Sequence, residues 1–154
     1  MKNSILMGPN PNMAFERDAP KAKRKIIPEF GRREMNSLIF SFADISKSEP
    51  IKRLLAECDL STDDVSDHWD HFIVAEDGKT LAGVIGLEPL ASLGLLRSLA
   101  VAKPYRGHGL ARALCNRMDA YARQQGIDEL YLLTTTAADF FLKLGLACMT
   151  RRIL

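Results

Sequence analysis

The chain has 154 residues, of which 47% are hydrophobic and 26% charged, a length and composition typical of one globular domain with one core. No apolar run approaches the ~20 residues of a membrane-spanning helix, and the first residues lack the apolar segment of a secretory signal. The cysteines, Cys58, Cys115 and Cys148, have no CxxC spacing. This argues against a disulfide scaffold and predicts reduced thiols in a cytoplasmic protein with no membrane partner.

The net charge of +2 is spread unevenly along the chain. Residues 1–36 carry eight Lys/Arg and four Asp/Glu, whereas residues 37–154 carry thirteen and fifteen. A nucleic-acid-binding arm is one interpretation of the basic segment. No aromatic residue interrupts its basic run, 21–25, which favours a solvated, poorly ordered extension. We therefore expect residues 1–36 to be a dispensable extension, residues 37–154 to form the domain, and no nucleic acid to bind.

Hydrophobic periodicity and turn signals divide the domain into short strands and helices. Asp77-Gly78 predicts a hairpin turn, and Gly126 predicts the end of a long helix. Three consecutive antiparallel strands and a following βαβ unit predict an α/β fold, a mixed and mainly antiparallel sheet with helices on both faces. The predicted elements are a strand at 37–46, helices at 48–58 and 61–72, a strand–turn–strand at 71–90, a strand at 93–102, a helix at 109–126, a strand at 129–135, a helix at 137–145 and a strand at 146–154.

The stretch RGHGLA, residues 106–111, lies between an apolar strand and a helix. Gly107 and Gly109 allow a ligand to approach backbone N–H groups at a helix N-terminus, and Arg106 adds a charged donor fork. This pattern predicts a site for an anion the size of pyrophosphate. A Walker loop would need Gly-Lys-Ser/Thr, and a dinucleotide fingerprint would need Gly or Ala where the chain has Arg112. A purely structural glycine turn remains an alternative.

The same six residues resemble the R/Q-x-x-G-x-G/A signature of the GNAT acetyltransferases. The later FFLKLGL, 140–146, resembles the second short motif of that superfamily, and the resemblance covers roughly residues 37–152. The segments HFIVAEDGKTLAGVIGLEPL, LLRSLAV and LYLLTTTAADFF are similar to the small arsenic-resistance-type N-acetyltransferases, which are related to amino-acid N-acetyltransferases. The resemblance implies acetyl-CoA as co-substrate, no metal, and the amine of a small, amino-acid-like molecule as acceptor.

The resemblance also implies which residues bind the co-substrate. It assigns the CoA pyrophosphate to Arg106, Gly107, His108, Gly109, Leu110 and Ala111. It assigns the pantetheine arm to the backbone of Leu99, Ala100 and Val101. It assigns the reactive end of the co-substrate to Thr134, Thr135, Phe140 and Phe141. Many GNAT enzymes have a proton-donating tyrosine where this chain has Phe141, a side chain with no proton to give.

Two charged residues interrupt apolar strands on the acceptor side. Glu88, in GLEPL, is the candidate general base, acting directly or through water; a solvent-facing carboxylate at a strand end is the alternative. Arg97, in LLRSLAV, is the candidate ligand for an acceptor carboxylate; an outward position in an alternating strand is its alternative. An acyl-CoA-binding or regulatory module with little turnover is the alternative function.

Two further patterns complete the sequence-based expectations. His68 and His71 share a helical spacing that can bind a metal, but an amphipathic helix with outward polar residues is the simpler interpretation. Related acetyltransferases continue with another segment that pairs with the sheet. Here the last predicted strand, 146–153, is therefore expected to be exposed along one edge and to support a homodimer.

Overall fold

The computed structural model describes residues 5–9, 37–62, 71–134, 138–143 and 146–149. These residues form one sheet and three α-helices, together with short 3-10 turns at Ile45–Lys47 and Lys103–Tyr105. The elements are β1 Ile5–Pro9, β2 Ile39–Phe42, α1 Ser48–Glu57, β3 Phe72–Asp77, β4 Thr80–Leu90, β5 Leu93–Val101, α2 Leu110–Gln124, β6 Glu129–Thr134, α3 Ala138–Lys143 and β7 Leu146–Met149.

The sheet has seven strands in the order β2-β3-β4-β5-β6-β1-β7. Every pair is antiparallel except β5 and β6, which run parallel and are connected through α2. A parallel pair needs such a crossover, and a helix packed on the sheet is its usual form. The predicted mixed, mainly antiparallel sheet with helices is confirmed.

Helices cover both faces of the sheet and bury two apolar clusters. On one face, α2 packs Leu110, Leu114 and Met118 against the sheet, and Phe141 of α3 joins the same cluster. On the other face, α1 packs Ile51, Leu54 and Leu55 against strands β3 and β4. Each fully buried Leu or Ile contributes about 1.5–3 kcal/mol relative to an exposed one. This burial fixes the orientation of α2, and therefore the position of its N-terminus.

Local signals predicted several element ends correctly. The hairpin between β3 and β4 turns at Gly78, which has φ +61°. Helix α2 ends where Gly126 adopts φ +77° and the N–H of Ile127 donates to Ala122 O at 2.9 Å. The first predicted strand is shorter than expected because Asp44 accepts a hydrogen bond from Ser46 N at 2.8 Å and begins a 3-10 turn. Residues 63–70 of the predicted helix at 61–72, and the end of the last predicted strand, lie outside the described residues.

A strand near the N-terminus corrects the expectation that all of residues 1–36 form a poorly ordered extension. Residues 5–9 form a strand inside the sheet, antiparallel to both β6 and β7, and Met7 is fully buried. The sequence shows only a short apolar run there, ILM, and its partners are more than 120 residues away in the chain. The expectation of a last strand exposed along one edge agrees with the described part of β7, which is the end strand of the sheet and pairs along one side with β1. Residues 10–36 lie outside the described residues.

No helix in the described part of the chain is long and apolar enough to cross a bilayer. The same described residues contain no group of three or more His, Cys, Asp and Glu side chains arranged to hold a metal ion. His68 lies outside them, whereas the ring Nδ1 of His71 lies 3.1 Å from the hydroxyl of Tyr121.

Candidate active site

The two parallel strands of the sheet separate halfway along their length. β5 and β6 pair from Leu93 with Glu129 to Leu96 with Leu132, and no further pair joins them among the described residues. β5 continues to Val101, where its other edge is paired with β4. One edge of 99–101 therefore faces the gap between the strands, which we call the β5/β6 cleft. Backbone N–H and C=O groups on such an edge can pair with an extended, amide-containing ligand.

A bulge in β5 lies where the cleft begins. Gly86 pairs with Arg97 and Val84 with Ala100, so β5 has one residue more than β4 between these pairs. Within the bulge, Ser98 has φ +56°, a left-handed backbone angle that is unusual for a residue other than glycine. A non-glycine residue in this region costs about 1–2 kcal/mol. The bulge redirects Leu99, Ala100 and Val101, the residues predicted to pair with pantetheine.

The glycine turn at the end of β5 is open to a ligand. Gly107 and Gly109 have φ +83° and +84°, and a Cβ built on either would meet no atom within 4 Å. Gly109 is the N-cap of α2 and provides no side-chain cap, and its carbonyl accepts from Ala113 N at 3.0 Å. The preceding N–H groups of the first helical turn have no intrahelical acceptor and lie at the positive end of the helix dipole. The turn therefore has the open space and the donors that a pyrophosphate requires.

The side chains of this turn take different roles. Leu110 is buried under the sheet, so only its backbone is available to a ligand, whereas Ala111 and His108 are half-buried. Tyr105 packs on the core, and its hydroxyl donates to Asp77 Oδ2 at 2.9 Å, which joins the turn to the β3–β4 hairpin. This tether was not predicted, because no local sequence pattern relates Tyr105 to Asp77.

Arg106 lies against the end of β5. Its Nε donates to Val101 O at 3.0 Å, and its Nη2 lies 3.5 Å from Cys58 Sγ at the C-terminus of α1. These contacts use two of the five N–H groups of the guanidinium, which leaves the other N–H groups available to an anion. The contact with Cys58 was not predicted, because a cysteine after a helix end carries no signal for it.

The two predicted acceptor-side residues lie together. Arg97 Nη1 and Glu88 Oε2 are 3.1 Å apart, and their side chains are 20% and 30% exposed. Register explains the pair: Gly86 faces Arg97 and Glu88 faces Leu95, so both charges lie on the α1 face of the sheet as diagonal neighbours. Neither predicted alternative, a free solvent-facing carboxylate or an outward arginine, describes this half-buried ion pair.

The residues predicted at the reactive end separate into two groups. Thr134 is the last residue of β6, beyond the point where β5 and β6 part, and Thr135 lies outside the described residues. Phe141 is only 6% exposed and belongs to the core, with its ring centroid 5.0 Å from that of half-buried Phe140. Phe141 thus anchors α3 to the sheet, and Phe140 is the more accessible of the two rings.

Comparisons with known proteins agree with this architecture. Residues 34–146 match the family model described as acetyltransferase (GNAT) family. The chain is 31% identical over 100 residues to N-acetyltransferase 8B of Rattus norvegicus, an alignment covering 57% of this chain and 45% of that protein. It is 35% identical over 80 residues to the amino-acid acetyltransferase of Pseudomonas putida strain GB-1, covering 51% of this chain and 18% of that protein. The chain thus spans less than half the length of both relatives.

The fold is also similar to a solved structure. Rv2747 from Mycobacterium tuberculosis, solved in complex with CoA, superposes with a TM-score of 0.61 and 26% sequence identity over 70% of each chain. The family match covers most of the chain, and it includes the split strands, the bulge and the glycine turn described above. This chain belongs to the GNAT family of acetyltransferases.

Proposed function

We propose that this protein transfers the acetyl group of acetyl-CoA to the amine of a small, amino-acid-like acceptor. The observation that carries the proposal is the β5/β6 cleft, which begins at a bulge and ends beside an open glycine turn at the N-terminus of α2. The edge of 99–101 suits the amides of pantetheine, and the turn at 106–111 suits the pyrophosphate. Together they match the two polar parts of CoA.

In the proposed reaction the amine nitrogen forms a bond with the thioester carbonyl carbon, the C–S bond breaks, and CoA leaves as the thiolate. The attacking amine must be neutral, so its proton has to be taken by a base. Glu88 is the candidate base, directly or through one water molecule. In the described structure its carboxylate is bound to Arg97. This contact engages the carboxylate oxygen that would otherwise be available to the amine.

An acceptor that carries its own carboxylate resolves this conflict. The planar guanidinium of Arg97 binds carboxylates in a two-point geometry. When the acceptor carboxylate binds Arg97, it competes with Glu88 and frees the Glu88 carboxylate for the amine. An amino acid presents both groups at the required short separation. The similarity to an amino-acid acetyltransferase supports this acceptor class.

A binding module with little turnover is the second candidate, and the position of Phe141 favours it. Phe141 is buried in the core and has no proton to donate to the leaving thiolate. A thiolate is a stable leaving group near neutral pH, because the pKa of a thiol is about 8.5, so the missing donor slows the reaction without preventing it. The two candidates therefore differ in rate and not in ligand.

A thiol-release assay with acetyl-CoA distinguishes the candidates. The acceptor panel pairs each amino acid with the corresponding amine that lacks the carboxylate. We expect turnover with amino acids and at least ten-fold less with their decarboxylated partners. Calorimetry with CoA runs in parallel. CoA binding without release of thiol for any acceptor would reject the transferase and leave the binding module.

Two expectations from the sequence remain predictions. The cytoplasmic location rests on cysteine usage alone. The homodimer rests on β7, which lies at one end of the described sheet and pairs along one side with β1. An edge strand of this kind can pair with a second copy. Light scattering at tens of micromolar tests the dimer, and a stable monomer would reject it.

A further inference from the structure

The first strand of the chain lies between the last two strands of the sheet. Met7 is paired with Leu132 of β6 on one side and with Cys148 of β7 on the other. Both pairings are antiparallel, so both edges of β1 contribute to backbone ladders. β1 and β2 are separated by residues 10–38 in the chain, and the sheet order places four strands between them.

This insertion supports the β6 side of the β5/β6 cleft. Leu132 pairs with Leu96 of β5 and with Met7 of β1, so the three residues form one row across the sheet. Beyond that row β6 continues to Thr134, where it pairs with Ile5 and no longer with β5. Past Leu132, β1 is therefore the strand partner of β6 in the described structure. The residues assigned to the reactive end of the co-substrate begin here.

Met7 also contributes to the packing under α3. Its side chain is fully buried in the cluster that contains Leu132 and Phe141. Phe140, beside Phe141, packs against the same cluster. A methionine fills irregular space between a sheet and a helix well because its side chain is unbranched and flexible. Removing it leaves α3 and the end of β6 without a common support.

We propose that β1 is a positioning segment of the active site, and that Met7 is the positioning residue that holds the end of β6 and α3 at the reactive end of the β5/β6 cleft. The inference rests on the proposed function. The glycine turn that suits the CoA phosphates lies at the N-terminus of α2, and its described tethers are to Val101, Cys58 and Asp77, none of which involves β1. Loss of β1 therefore affects acetyl transfer more than CoA affinity.

The slot between β6 and β7 should also accept a separate peptide of the same sequence. Backbone hydrogen bonds along two strand edges and one buried side chain hold β1 in place, as in recognition by strand addition. The test uses the full chain. In the Met7→Asp variant a charge enters the apolar cluster and expels the chain's own strand. A synthetic peptide of residues 1–12, MKNSILMGPNPN, then fills the slot.

The matched control is Ile39→Asp, the same chemical change in an edge strand at a side chain that is 68% exposed. We expect Met7→Asp to lower kcat by at least ten-fold, Ile39→Asp to leave it unchanged, and the conservative Met7→Leu to retain it. We expect the dissociation constant of CoA, measured by calorimetry, to change by less than three-fold in all three. The peptide should restore at least half of the lost kcat, and a peptide carrying Met7→Asp should not.

Several outcomes would overturn the proposal. One is that Met7→Asp loses CoA binding and kcat equally, both in proportion to the fraction of protein that is folded. That result would show that β1 only stabilises the fold. Another is failure of the peptide to restore kcat. If Met7→Asp does not fold, Met7→Ala replaces it, and unchanged kcat in that variant would also reject the role of Met7. If the wild-type chain acetylates no acceptor, the proposed function fails. A fluorescent peptide that binds Met7→Asp and not the wild type still supports insertion, and absence of that binding rejects it.

Discussion

The guanidinium of Arg97 lies 3.1 Å from the carboxylate of Glu88, across the neighbouring strands β5 and β4. Two residues that interrupt separate apolar runs in the sequence therefore form one half-buried ion pair beside the bulge at Ser98. A substitution of either residue also removes the ion-pair partner of the other. Their effects on catalysis should thus be measured as a pair, in a double-mutant cycle.

Glu88→Gln should lower kcat by about 10²-fold, because a general base contributes about 10²–10⁴-fold. The amide keeps the shape and a hydrogen bond to Arg97, and the dissociation constant of CoA should not change. Arg97→Met should instead raise the KM for acceptors with a carboxylate and have less effect on those without one. Wild-type kinetics in Glu88→Gln would show that Glu88 is not the base and has a structural role only.

Arg106→Ala should weaken acetyl-CoA binding by about 1.5–3 kcal/mol, the range for a hydrogen bond to a charged group. The control ligand is acetyl-pantetheine, which lacks the pyrophosphate. Its dissociation constant should be the same for the wild type and the variant. Calorimetry measures both. If both ligands weaken equally, the guanidinium acts through its bond to Val101 O and orders the end of β5, and the phosphate assignment is wrong.

Gly109→Ala should weaken CoA binding at least ten-fold, because a Cβ at the N-cap of α2 projects into the space proposed for the pyrophosphate. Gly78→Ala is its control, since Gly78 has a similar positive φ in the β3–β4 hairpin, outside the glycine turn. Both variants should lose about 1–2 kcal/mol of unfolding free energy from the left-handed backbone. Equal CoA affinity in the two variants would contradict a phosphate site at the turn.

Ser98→Val should lower the free energy of unfolding by about 1–2 kcal/mol, because a β-branched residue tolerates φ +56° poorly. Ser41→Val is the control, at an exposed position of β2 that has no positive φ. Urea denaturation compares the two. A cost at Ser98 no larger than at Ser41 would show that the bulge stores no strain.

Burial raises the pKa of the Cys115 thiol to about 12, from a usual value of 9.0. Between these two pKa values the folded chain keeps the thiol proton, whereas the unfolded chain loses it. The contribution of this thiol to the free energy of unfolding is therefore fully present below pH 9 and is lost as the pH rises toward 12. The slope is about 1.4 kcal/mol per pH unit. Cys115→Ala removes this contribution. Urea unfolding between pH 8 and 10.5 should show a shallower decline in the variant, and parallel curves would refute the shift.

The sequence by itself determined the features that depend on short stretches of chain. Alternating and helical periodicities predicted the order of the described strands and helices from β2 onward, because each pattern reports which face of an element is buried. The helix predicted at 61–72 lies mostly outside the described residues. Gly78 and Gly126 marked turns that require positive φ. The stretch 106–111 predicted an anion site, since a helix N-terminus and its glycines are adjacent in sequence.

Only the tertiary structure decided the features that join distant residues. Strand pairing placed ILM of the N-terminus between β6 and β7, and three apolar residues carry too little periodicity to predict it. Cross-strand register brought Arg97 to Glu88, and helix packing brought Cys58 to Arg106. These contacts arise from side-chain packing and backbone pairing between elements far apart in the chain. Local propensity contains no information about such partners, and burial of the shared core selects them.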